Sequence, residues 1–130
     1  MSVKELPHNE HTFTLKFTGE KTGRVYEGTF TYKTPTNRTM IESKKMAARL
    51  SEGLPLDQET AFMINVFAEL RYNLTNNPEW WVKADYGYEL EDMDVVLEIY
   101  RACRKFENER FEKLWKEPAP APAPSEPAKS

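Results

Sequence analysis

Two histidines at His8 and His11, a single cysteine at Cys103, and two aspartates at Asp92 and Asp94 are the residues best equipped for chemistry. Their types and spacing decide how far that goes. A metal site needs further ligands within reach, and no cysteine or acidic pair near His8 and His11 completes a set. Cys103 falls on the apolar stripe of a helical pattern, with no histidine at helical spacing to activate it. A small buried thiol is the expectation, not a nucleophile. Asp92 and Asp94 are two positions apart and face different sides of a helix, so they do not form a shared acid/base pair. Beside Glu91 they crowd a helix start, where negative charge opposes the positive end of the dipole. The sequence contains no GxSxG, P-loop, GxGxxG or HExxH pattern. The expectation is a non-enzyme with no catalytic residue, no cofactor and no metal.

The remaining chemistry is aromatic. Trp80 and Trp81 are adjacent, so in extended backbone both cannot enter one pocket. Tyr100, Phe106, Phe111 and Trp115 follow along a later helical pattern and spread over more than one stripe. Large rings remove much area from water at low entropic cost, which makes these residues (Trp80, Trp81, Tyr100, Phe106, Phe111 and Trp115) candidate partner-binding positions. The competing reading is that they close the core of a small domain. An exposed apolar band on the second half of the last helix would favour self-association.

The elements that must position these rings are legible as patterns. From His11, Phe13, Leu15 and Phe17 alternate with Thr12, Thr14, Lys16 and Thr18, the period of a half-buried strand. Gly19 and Gly23 bracket a turn, and Arg24 to Lys33 repeats the alternation with Tyr26, Phe30 and Tyr32 on one face. Gly28 shares that face, which signals a bulge or a close crossing by a helix. Residues 1–10 read as a loose lead-in before this hairpin. Thr39 to Glu42 fits a capping box opening a first helix that Gly53 stops. Asp57 caps a second, strongly apolar helix, Gln58 to Leu74, with Phe67 expected at the centre of the core. Asn76, Asn77 and Pro78 end it. An aromatic connector, Glu79 to Tyr88, leads to a third helix from Glu91 or Asp92 to Lys116. The fold class expected is α+β, an N-terminal β-hairpin packed on a three-helix bundle.

Size and charge fit one such domain. Of 130 residues, removing both ends leaves about 105 that can pack, enough for a core without disulfides. The formal net charge of −3 argues against a nucleic-acid partner, and the basic cluster Arg38, Lys44, Lys45 and Arg49 reads as a solvated helix face. No apolar run approaches the ~20 residues of a membrane span. A lone cysteine and an N-terminus without an apolar signal core suit a cytoplasmic protein with no membrane partner. After Lys116 the chain alternates Pro and Ala. Every second residue from Pro118 to Pro124 lacks an N–H, so 117–130 reads as a disordered polyproline-II tether on a single domain spanning 11–116.

The order of these features resembles the small tail assembly chaperones of long-tailed bacteriophages. The resemblance is carried by the hairpin, the Thr36–Glu42 segment, the Asn77–Trp81 turn, the acidic-capped helix bearing Tyr100, Phe106 and Phe111, and the Pro/Ala-rich tail. It implies a short-form chaperone that oligomerises and holds a tape-measure protein soluble during virion tail assembly in the host cytoplasm. The alternatives are a structural component of the virion, such as a head–tail or minor capsid protein, and a small adaptor module unrelated to phage.

Overall fold

The computed structural model describes residues 8–55 and 57–116. The expectations for the Pro/Ala tail and for residues 1–7 lie outside them. Strict alternation does give a hairpin: β1 (Glu10–Thr18) pairs antiparallel with β2 (Val25–Lys33) in unbroken register, from Glu10 opposite Lys33 to Thr18 opposite Val25. Glu10, assigned to the lead-in by sequence, is therefore the first strand residue. One face carries Phe13, Leu15, Phe30 and Tyr32 into the core. The other is a threonine face, with the Thr12 and Thr31 hydroxyls 2.9 Å apart and those of Thr14 and Thr29 3.3 Å apart.

Gly28 sits opposite Leu15 with no bulge. A Cβ there would lie 2.7 Å from the Pro78 ring and 3.2 Å from the Trp80 indole nitrogen. The missing side chain is what lets the later connector lie on the sheet. Gly28→Ala should therefore cost about 1–3 kcal/mol by overpacking, read as a lowered urea midpoint with an unchanged slope.

Helix α1 (Asn37–Ser51) starts earlier than the sequence suggests. Its N-cap is Thr36, whose hydroxyl accepts from the Thr39 N–H while the Thr39 hydroxyl accepts from the Thr36 N–H. The box is thus closed by Thr39, and Glu42 instead lies 3.9 Å from Lys45 one turn on. Helix α2 (Gln58–Asn73) begins as expected, with the Asp57 carboxylate accepting from the Thr60 N–H at 2.7 Å. It ends at Asn73, one residue short of the expected Leu74. Leu74–Asn76 forms a third strand, β3, antiparallel to β2, and anchors through buried Leu74. The sheet order is β1-β2-β3.

The connector holds a short helix, α3 (Glu79–Lys83), followed by Asp85, Tyr86 and Gly87 at φ of 55°, 57° and 85°. Left-handed backbone is unfavourable for Asp and Tyr, and α2 holds this turn in place. Arg71 stacks over the Tyr86 ring at 4.1 Å and reaches Asp85 at 3.8 Å. Gly87 is required twice, by its φ and because a Cβ would meet the Trp81 ring at 2.4 Å.

Helix α4 (Met93–Lys116) completes an α+β architecture: α4 and α2 pack on the sheet, and α1 lies against α2. The core is Phe30 from β2, Val66 and Leu70 from α2, Trp81 from α3, and Val95, Val96 and Ile99 from α4, all essentially inaccessible to water. Phe67 is not at its centre. It is half-buried and meets the exposed Tyr88 edge-on at 5.2 Å. Helix α2 is apolar nearly all round, so spacing alone could not select the Val66–Leu70 stripe as the one facing the sheet.

Candidate partner-binding site

The candidate rings separate into two groups. Trp81 is fully buried, wedged edge-on against Phe30 at 5.5 Å, and its assignment as a partner-binding residue is overturned: it belongs to the core. Trp80 is half-buried, donating its indole N–H to the Glu27 carbonyl at 2.9 Å and packing on Tyr26. Tyr100 and Phe106 are also half-buried. The Tyr100 hydroxyl donates to Glu69 at 3.2 Å, and Phe106 stacks on His11 at 5.1 Å with its edge to Tyr32. Phe111 and Trp115 remain on the surface, 60% and 73% exposed, their rings 5.8 Å apart. Those two are the residues of the set that a partner can reach in full.

Phe111 also stands at the edge of a cleft of about 460 Å³ that the sequence did not announce. It opens where the end of β2 meets α1, α2 and α4, and is lined by Tyr32, Thr34, Pro35, Met40, Ser43, Lys44, Glu69, Asn73, Arg104, Glu107, Asn108 and Phe111. Helical spacing explains the α4 wall, since 104, 107, 108 and 111 share one face. On α2, Glu69 and Asn73 are one turn apart, polar positions interrupting an apolar helix. That interruption was the available signal. Two tyrosines brace the carboxylates: the Tyr32 hydroxyl donates to Glu107 at 2.7 Å, as Tyr100 does to Glu69. Burial, then the neighbouring carboxylate, raises both phenols above their ordinary pKa. Asn73 is buried, and neither its Oδ1 nor the buried Thr34 hydroxyl has a hydrogen-bond partner among the described residues.

A second constellation was invisible in sequence. Asp92 is fully buried at the start of α4 and reaches across to the β1–β2 turn. It accepts from the Lys21 N–H at 2.9 Å, the Thr22 N–H at 3.1 Å, the Tyr26 hydroxyl at 2.8 Å and the Thr22 hydroxyl. Asp94 takes the adjoining Glu20 N–H at 2.9 Å. The two aspartates thus clasp three successive backbone N–H groups, a use distinct from complementing their own helix dipole. Burial alone would push the Asp92 carboxyl up. The Thr22 and Tyr26 hydroxyls and the two N–H donors outweigh it and hold the group below its ordinary range.

Nothing in this arrangement activates a nucleophile. The Cys103 thiol is buried on α4, and burial, then the Glu107 carboxylate, pushes it up to about 12. Among the described residues no cluster of His, Cys, Asp and Glu suits a metal ion, and no helix is long and apolar enough to cross a membrane. Chemically the cleft is mixed: the carboxylates of Glu69 and Glu107 are matched by the cations of Lys44 and Arg104, with the Phe111 ring and Met40 beside them. No protein-family model, no curated protein and no solved structure matches the chain.

Proposed function

We propose that this protein is a non-enzymatic assembly chaperone that self-associates and holds an apolar helical segment of a protein partner. The observation that carries this reading is the exposed Phe111–Trp115 pair on the last turns of α4, adjoining the cleft. Two large rings in contact on a solvated helix leave apolar area that the domain's own core does not use. Met40 on α1, 46% exposed, lines the same cleft as Phe111 and adds to it. The charged remainder keeps such a surface soluble. The resemblance to phage tail assembly chaperones supplies the finer form of the proposal: the partner is a tape-measure protein, whose long helices would aggregate unprotected.

Sedimentation of the protein and of a Phe111→Ser/Trp115→Ala variant tests it. The parent should associate reversibly, and the variant should do so at least ~10-fold more weakly, a loss of about 1.4 kcal/mol in association. Folding stability should move by less than about 0.5 kcal/mol, because both side chains are at the surface. A parent that is strictly monomeric at every concentration sinks the reading. Mass spectrometry of purified particles then separates a chaperone, absent from them, from a structural virion component, present in them.

A further inference from the structure

We infer that the open edge of β1 pairs with β1 of a second copy of this chain, antiparallel across a two-fold axis at Phe13. The surface differs from the Phe111–Trp115 pair, and the inference does not rest on it. Among the described residues β1 has one neighbouring strand, β2, in the order β1-β2-β3. Its nine residues hold their register without a bulge and contain no proline. A long, regular edge with unpaired backbone groups is a template for another strand. The direction of those groups follows from the two ends of the hairpin. The Gly19 N–H donates to the Arg24 carbonyl and the Thr34 N–H to the Asn9 carbonyl, both at 2.8 Å. Odd-numbered residues of β1 therefore spend their backbone groups on β2, while Glu10, Thr12, Thr14, Lys16 and Thr18 turn theirs to the open edge. Helix α4 lies over the β1–β2 pair and not outside it. Phe106 meets both His11 and Tyr32, and Asp92 lies against Gly19 while accepting from the Tyr26 hydroxyl. Arg110 donates to the His8 carbonyl at 3.0 Å, which leaves Glu10 as the first residue free to pair.

The strand's own sequence identifies the occupant. With Phe13 opposite Phe13 of the second copy, Thr12 faces Thr14 and Glu10 faces Lys16, each pairing occurring twice. Within each hairpin Lys16 already stands opposite Glu27, and Glu10 opposite Lys33. The joined sheet then carries Glu27, Lys16, Glu10 and Lys33 across four strands, with charges alternating in sign. Beside that row runs one of threonines, Thr29, Thr14, Thr12 and Thr31, continuing the hydroxyl pairs of the two hairpins. A slip of two residues either way sets Glu10 against Thr14 or Thr18 and unpairs both charges. An unrelated extended peptide satisfies the backbone groups alone, whereas a second copy also satisfies the charges. Phe13 and Phe17 point to the core side yet stay half-buried at this edge, and pairing removes the two Phe13 rings further from water. The two α4 helices come to lie side by side, roughly 10 Å apart at two strand spacings, an ordinary helix–helix distance.

Sedimentation of two charge-reversal variants of the full chain, separately and mixed, tests the pairing. Glu10→Lys and Lys16→Glu both fall at exposed positions. Each puts two like-charged pairs into the interface and should weaken dimerisation about 10-fold. An equimolar mixture sets lysine against glutamate at both ends and should recover the dimerisation of the parent, as a heterodimer. Whatever either change costs its own hairpin is present in the mixture too, so a folding defect cannot produce the recovery. In the parent, amide exchange at Thr12 and Thr14 should slow as protein concentration rises. Exchange at Phe13, whose backbone already pairs with Phe30, should not change. A mixture no more associated than its components overturns the inference, as do Thr12 and Thr14 amides that stay fast where the parent is dimeric. Association abolished by Phe111→Ser/Trp115→Ala but untouched by the charge reversals also overturns it and leaves the reading above. Recovery on mixing, with no effect of the ring variant, leaves this interface and removes the rings from self-association. A strictly monomeric parent overturns both.

Discussion

Trp81→Ala should lower the urea unfolding midpoint sharply. The indole has no exposure to water and meets Phe30 and Trp80 edge-on at 5.5 and 6.1 Å. Truncating such a ring costs about 3–5 kcal/mol, a large share of the roughly 5–15 kcal/mol that holds a domain folded. Gly87 also lies against the ring, since a Cβ there would stand 2.4 Å from it. Trp81→Phe should cost much less. The indole N–H has no acceptor among the described residues, so its removal strands no partner. Phe67→Ala, at a half-buried ring beside Tyr88, should fall well below Trp81→Ala. Urea unfolding of the three variants checks the order. A Phe67 variant as damaged as the Trp81 one would mean that the core is centred on α2 after all.

The second large effect concerns Asp92. Asp92→Asn keeps the shape and one oxygen for the Lys21 and Thr22 N–H groups, but puts an amide nitrogen where the second carboxylate oxygen accepts from the Thr22 and Tyr26 hydroxyls. Those hydroxyls must turn round to accept, and all four donors lose a charged acceptor. The pH dependence has a definite sign. The folded carboxyl lies below its ordinary value, so its contribution is fully present above the unfolded pKa, near 3.9. It is lost as pH falls through the lower folded value. Unfolding curves at neutral pH should show a large deficit for Asp92→Asn, and the deficit should shrink below about pH 4. A deficit of constant size across that range would refute the assignment. Gly19→Ala should mimic the variant, since a Cβ at Gly19 would stand 2.2 Å from an Asp92 oxygen.

What sequence could and could not reveal follows from the range of the interactions. The hairpin was legible because its signal is local: Phe13, Leu15 and Phe17 against threonines repeat every second residue. The Asp57 cap was legible for the same reason, whereas Thr36 is hidden because its box closes on Thr39 and not on a Glu or Gln. Strand β3 spans three residues, too few for a period to register, and is specified by where Leu74 lands. The orientation of α2 was hidden by apolar residues on most of its sides. The separation expected of Trp80 and Trp81 assumed extended backbone, whereas both lie on α3 and both rings meet Phe30, at 5.9 and 5.5 Å; only packing shows that the second of the pair is the one engulfed. The cleft draws on four elements and leaves in the sequence little beyond Glu69 and Asn73 inside an oily helix. Asp92 and its donors are separated by 66 to 71 positions, beyond any motif.

That separation has a consequence for biosynthesis. The β1–β2 turn cannot be locked until Asp92 and Asp94 have left the ribosome, and Val95, Val96 and Ile99, which roof the same aromatic side of the sheet, emerge later still. The nascent chain therefore carries its phenylalanines and tyrosines uncovered through most of translation, and closing so wide a loop slows the final collapse. Newly made chains therefore pass through a stage in which that aromatic face is open to water and prone to aggregate.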